Sequence, residues 1–153
     1  MVRIGVDNNM KKIMLDCNAF DDLVFYIDLL ISKLDSYEYY IINVVEGELN
    51  KISDIAKRDR LLEMMNLLNI KFSYTSPAIY GTVKYGMAKY GGDKTAYERI
   101  LKKTKSNIKD ALIGSSAVKE NCIVITNDGE FQRKMKNNGY QVLSTKDFIE
   151  QLR

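Results

Sequence analysis

Histidine is absent from the chain, and that absence removes more chemistry than any other feature of its composition. Without an imidazole there is no Ser-His-Asp or Cys-His nucleophile and no histidine-ligated zinc site. Catalysis would have to come from carboxylates, lysines, tyrosines, hydroxyls or bound ions. The two cysteines, Cys17 and Cys122, offer neither a metal spacing nor a disulfide framework. Cys17 has no base to activate it and reads as a small packing residue. A single proline, Pro77, and no low-complexity run leave no linker in the 153 residues, so one domain over 1–153 is expected. No apolar run approaches a membrane span, and the N-terminus shows no signal-peptide core. A reduced, cytoplasmic setting with no membrane partner is the expectation. The formal net charge of +3 permits a polyanionic partner without demanding one.

What is present is an alternation of short apolar runs with helical periodicities. Ile13-Met14-Leu15 reads as a strand closed by Asp16. From 19 to 34, Phe20, Leu23, Val24, Ile27, Leu30, Ile31 and Leu34 recur at spacings of three and four, an amphipathic helix. Tyr39–Val45 reads as a second strand running into a helix over about 45–57, with Val45, Leu49, Ile52 and Ala56 on its core face. Arg60–Leu68 continues helical, and Ile70–Tyr74 is a third short strand. After an irregular stretch, helical spacing returns from Ala96 and again over 108–119. Ile123–Thr126 is a strand covered on both faces, followed by a helix near 130–137 that Gly139 can end. Tyr140–Leu143 and Thr145–Leu152 read as a last strand and a last helix, and residues 2–6 as a further weak strand. Strands alternating with helices predict an α/β fold with a mainly parallel sheet.

In such sheets ligands collect at the carboxyl ends of the strands. Asp16 and Asp128 both sit at such ends, and they meet if their strands are neighbours. Each also has a plain alternative: Asp16 as a helix cap, Asp128 as a turn residue in Asn127-Asp128-Gly129. Glu48, three residues past Val45 and four before Ile52, lies on the border of a core stripe, where it could lean over the sheet edge or stay solvated. Asp110, three residues after Asn107, fits a capping box and the start of a helix whose Gly114-Ser115-Ser116-Ala117 run suits close packing on the sheet. Glu130 reads as a first-turn helix acid.

The segments "IMLDCNAF", "INVVEGELNKI", "KDALIGSSAV" and "VITNDGEF" occur in the order seen in PIN-domain nucleases, and the chain resembles that family across 13–131. The resemblance implies a three-layer α/β/α sandwich around a five-stranded, mainly parallel sheet. It also implies an acidic set of Asp16, Glu48, Asp110 and Asp128, with Asn18 and Thr126 as supporting polar residues. Oxygen-only ligands suit Mg²⁺ or Mn²⁺, and cations relieve the repulsion among crowded carboxylates. The reaction this implies is metal-assisted hydrolysis of an RNA phosphodiester, leaving a 5′-phosphate and a 3′-hydroxyl. In that scheme Asp16 and Asp128 are direct ligands, Asp110 completes the site, and Glu48 holds a second ion or orients water. Small members of the family are often toxins of toxin–antitoxin pairs, so a small antitoxin and a second copy of the chain are further implied partners. A stand-alone RNA-processing nuclease is the other setting.

The stretch 70–105 has no clear match in the family pattern, and its part from about 75 is irregular, basic and rich in tyrosine. There Lys84, Lys89, Lys94, Arg99, Lys102 and Lys103 are interleaved with Tyr85 and Tyr90. Lysines can follow a phosphate backbone while tyrosines stack on unpaired bases; a solvated helix face or a dimer contact accounts for them equally. Two other classes compete with the nuclease. A non-catalytic PIN-like module would bind RNA or protein through the same pocket. A phosphatase of the haloacid dehalogenase type also begins with a strand ending in Asp, but it needs a second Asp two residues on, where this chain has Asn18. A nucleotide-binding domain lacks its phosphate-cradling glycine loop.

Overall fold

The computed structural model of the chain describes residues 10–73 and 108–153. The strand expected at 2–6, Tyr74, the helix expected from Ala96, Asn107 and the whole basic, tyrosine-rich stretch lie outside the described residues. Within them the elements run β1 (Lys11–Leu15), α1 (Ala19–Leu23), a 3₁₀ turn (Val24–Tyr26), α2 (Ile27–Ser32), β2 (Tyr37–Ile42), α3 (Asn43–Asn50), α4 (Ile55–Leu67) and β3 (Lys71–Ser73). Then come α5 (Ile108–Glu120), β4 (Ile123–Ile125), α6 (Gly129–Asn137), β5 (Val142–Leu143) and α7 (Thr145–Leu152).

The five strands form one sheet in the order β3-β2-β1-β4-β5, and every pairing is parallel. Parallel strands need helical crossovers on both faces, which is why Ile13, Met14 and Leu15 are apolar in succession and fully buried. Right-handed crossovers put α1–α4 on one face and α5 and α6 on the other, giving the three layers. The closing helix α7 packs against α1 and β5, and its Phe148 meets Tyr37 and Tyr39 of β2 edge-on, with ring centroids 5.6 and 6.3 Å apart. Such edge-to-face packing matches the aromatic quadrupoles. Among the described residues no helix is long and apolar enough to cross a membrane.

Several boundaries differ from those the sequence predicts. The single helix expected over 19–34 is broken by the Val24–Tyr26 3₁₀ turn, and Phe25 there is 83% exposed. The second strand ends at Ile42, so Val44 and Val45 are helical although β-branched. The helix expected over 45–57 is two helices. The first stops at Asn50, and Asp54 caps the second by accepting from the Lys57 amide at 3.1 Å; Ile52 therefore sits in the connection and Ala56 is exposed, off the core face. Gly129 opens α6 as a helical residue, whereas Gly139, with φ of 77°, supplies the left-handed turn that ends it.

Candidate active site

The strand order reverses direction between β1 and β4: the chain winds outward to β2 and β3 on one side and to β5 on the other. Such a reversal opens a crevice beyond the carboxyl ends of the two strands. Asp16 follows β1 directly, and Thr126 and Asp128 follow β4, so the reversal sets them side by side. The register continues past the last paired residues, with the Asp16 amide donating to the Ile125 carbonyl at 3.0 Å.

Asp16 is 2% exposed and held on both oxygens. Its Oδ1 accepts from the Cys17 amide at 2.7 Å. Its Oδ2 accepts from the Thr126 hydroxyl at 2.7 Å and, at a long 3.4 Å, from the Asn18 amide. No side chain caps α1, so capping is not what Asp16 does. Thr126 is the hub: it is fully buried, donates to Asp16, and accepts from the Asp128 amide at 3.1 Å. Asn18 ties the two strand ends together, its Oδ1 accepting from the Asn127 amide at 3.0 Å. Asp128 is a helix cap as well as a strand-end acid. Its Oδ1 accepts from the Glu130 and Phe131 amides at 3.0 and 3.3 Å, which fixes the side chain and leaves Oδ2 toward other partners.

The remaining two acids arrive on helices. Glu48, on α3, is half-exposed and accepts from Lys109 Nζ at 3.2 Å. The same ammonium lies 3.7 Å from Asp16 Oδ1, so Lys109 bridges the two carboxylates. Burial works to lower the Lys109 pKa, but Asp16 and Glu48 outweigh it and hold the group above its ordinary value. Asp110, the next residue on α5, is half-buried. Its carboxyl is pushed up to about 6 by burial, then by the negative charges of Asp16 and Asp128, against the pull of Lys109 and Lys134. The Cys17 thiol is raised to about 11, first by burial and then by Glu48, so it stays a neutral thiol. Glu130 turns away to Arg133 and Lys134, at 3.6 and 3.9 Å, as a first-turn acid does.

Of the four acids expected from the sequence, Asp16 is linked to Glu48 through Lys109 and to the Asp128 backbone through Thr126, and Asp110 is coupled electrostatically to Asp16 and Asp128. Sequence reasoning missed Lys109. It also missed a clamp behind the site: Asn127 Nδ2 and Thr145 Oγ1 both donate to Asp22 Oδ2, at 2.8 and 2.7 Å, and Thr145 also donates to Asn127 Oδ1 from its amide at 3.1 Å. That clamp pins the β4 loop to α1 and α7. The only sequence signal was polarity at strand and helix ends, which many loops share.

The sequence profile of the PIN domain matches residues 30–137, more than half of the chain. The chain belongs to the PIN domain family. The matched span contains Glu48, Asp110 and Asp128 and begins after Asp16. PIN domains are generally nucleases, typically served by divalent metal ions. Solved structures of similar fold include PAE2754 from Pyrobaculum aerophilum, with a TM-score of 0.56 and 14% identity over 93% of this chain and 89% of that one. A PilT N-terminus domain protein from Sulfolobus solfataricus has a TM-score of 0.53 and 14% identity over 92% of each chain. A domain from Methanocaldococcus jannaschii has a TM-score of 0.53 and 22% identity over 88% of this chain and 90% of that one. At these identities the likeness is one of PIN fold. No curated protein sequence matches the chain.

The donor set of this PIN domain suits a divalent ion in kind. The acids offer only hard oxygens, which Mg²⁺ and Mn²⁺ prefer, and Asp110, its pKa raised first by burial, also feels the negative charges of Asp16 and Asp128. Among the described residues, no three acids or cysteines stand close enough to hold an ion as placed. Thr126→Val tests the hub: it keeps the shape but leaves a buried Asp16 oxygen and the Asp128 amide without their partner. It is expected to cost about 1–3 kcal/mol of stability and to weaken Mn²⁺ binding roughly 10–100-fold, as read by thermal unfolding and calorimetric titration.

Proposed function

We propose that this protein is a Mg²⁺- or Mn²⁺-dependent endoribonuclease, acting at the carboxylates of Asp16, Asp110 and Asp128 with Glu48 beside them. One observation supports the reading: at the reversal of strand order Thr126 links Asp16 to the start of the Asp128 turn, and Asp110 on α5 feels the charge of both acids. When bound, the ion neutralises this charge, polarises the scissile phosphate and acidifies a water. Asp16 and Asp128 would hold it, since hydrogen bonds already fix both in place and little ordering entropy is left to lose. Asp110 would complete the set. Glu48, with its side chain 42% exposed, orients the attacking water and accepts its proton. The products are a 5′-phosphate and a 3′-hydroxyl.

RNA as substrate rests on the family and on the lysine–tyrosine stretch of Lys84, Tyr85, Lys89, Tyr90, Lys94, Arg99, Lys102 and Lys103. The proposed setting is a toxin of a toxin–antitoxin pair, with a small antitoxin and a second copy of the chain as partners. A non-catalytic binding module is the second reading, favoured by the Lys109 ammonium lying between Asp16 and Glu48. One assay separates the two. Purified protein should cut single-stranded RNA in Mn²⁺ or Mg²⁺ to 5′-phosphorylated fragments, and a chelator should stop it. RNA binding without cleavage in either ion supports the module instead.

A further inference from the structure

Asp16 is the most deeply buried acid among the described residues, and a buried carboxylate needs a nearby countercharge. Lys109 Nζ supplies it, at 3.7 Å from Asp16 and 3.2 Å from Glu48. Other described basic side chains pair elsewhere, Lys57 with Asp21, Arg133 with Glu130 and Lys71 with Glu38, while Lys134 pairs with Glu130 and also acts on Asp110. Lys109 is also placed rigidly. It sits in the first turn of α5, whose residues Ala111–Ala117 are all buried, and its own side chain is 35% exposed. A basic residue in the first turn of a helix runs against the helix dipole, so the position is explained by the acids it faces and not by its helix.

We propose that Lys109 is the site's built-in counter-ion, anchored on Glu48 and competing with the divalent ion for Asp16, so that ion binding proceeds by exchange for its ammonium. The inference rests on the reading of these acids as metal ligands. Exchange has two consequences. The ion-free protein is held together at the crevice by Lys109, and the ion binds more weakly than the same acids would bind it alone. The partly exposed side chain has a route out toward solvent when it is displaced.

Lys109→Met keeps the apolar stem and removes the charge; Lys109→Gln does so with a polar end and serves if the first variant folds poorly. Mn²⁺ affinity by calorimetry and thermal unfolding with and without Mn²⁺ are the readouts. Both variants are expected to bind Mn²⁺ about tenfold more tightly than the wild type, to melt lower without ions, and to regain the difference when Mn²⁺ is added. Lys109→Arg, which keeps the charge, should retain weak binding. A merely structural lysine would not tighten ion binding on removal, because damage to a site loosens it. Binding by the wild type with equal or weaker binding by Met and Gln variants overturns the exchange alone. Absence of Mn²⁺ binding in all three proteins overturns both the exchange and the metal site.

Discussion

Asp16→Asn is expected to lower Mn²⁺-dependent RNA cleavage by about a thousandfold, the scale seen when a group stabilising charge in a transition state is lost. The substitution is isosteric and sits in a fully formed network. The Asn oxygen can still accept from the Cys17 amide, as Asp16 Oδ1 does at 2.7 Å. The amide nitrogen then faces the Thr126 hydroxyl, which can turn to accept instead of donate. The fold should therefore survive with a melting temperature within a few degrees of the wild type. What is lost is a negative charge at the bottom of the crevice, where solvent screens least. A variant that melts normally and cuts RNA at the wild-type rate would remove Asp16 from the mechanism. The phosphatase reading makes a different demand on the same residue, a nucleophile with a partner acid at position 18, and Asn18 is bound instead to Asp16, Thr126 and Asn127.

Asp110→Asn should act in opposite directions on activity and stability. Cleavage is expected to fall by roughly a hundredfold or more, because a charge that completes the site is removed. The ion-free protein should become more stable. In the folded state burial, Asp16 and Asp128 raise the Asp110 pKa from 3.8 to about 6, so the fold favours the protonated acid. Below pH 3.8 the carboxyl is protonated in both folded and unfolded chains and imposes no penalty. As pH rises through about 6 the folded carboxyl is forced to ionise, and the stability it allowed at low pH is lost. The gain from Asn should thus be absent at acid pH, grow across this window and level off above it. Full burial would make the plateau about 3 kcal/mol; solvent at this half-buried site reduces it to about 1 kcal/mol. Added Mn²⁺ should shrink the gain, since the ion stabilises the wild-type carboxylate. Denaturant unfolding of both proteins at several pH values, without and with Mn²⁺, measures all of this. A pH-independent difference would mean that Asp110 is not electrostatically coupled to the other acids.

The fold was largely legible because a parallel sheet forces near-continuous apolar runs, and Ile13–Leu15 and Ile123–Ile125 have no helical alternative of comparable strength. Boundaries were less so. Val44 and Val45 prolong the β-branched run of β2, yet tertiary packing makes them the first turn of α3, and nothing local marks Asn43 as the switch. The break at Val24–Tyr26 keeps the three- and four-residue spacing of the surrounding helices, so the pattern hides it. Asp54 was a readable cap that continuing helical periodicity concealed. Asp16 and Asp128 could be located because each closes an apolar strand, and Asp110 because it opens a small-residue helix. Lys109 could not, since a lysine beside Asp110 has no meaning until α5 is laid across β1 and its neighbour β4. The Asp22–Asn127–Thr145 clamp likewise joins residues far apart in sequence, which neither spacing nor composition reveals.

The most direct test of the account is a crystal of the full chain grown or soaked in Mn²⁺ and measured at the manganese absorption edge. An anomalous peak bound by Asp16 and Asp128, with Asp110 joining directly or through water and Lys109 withdrawn from Asp16, is the result expected. A crevice with no peak at saturating Mn²⁺, Lys109 still bridging Asp16 and Glu48, would contradict the claim that these acids form a metal-dependent nuclease centre.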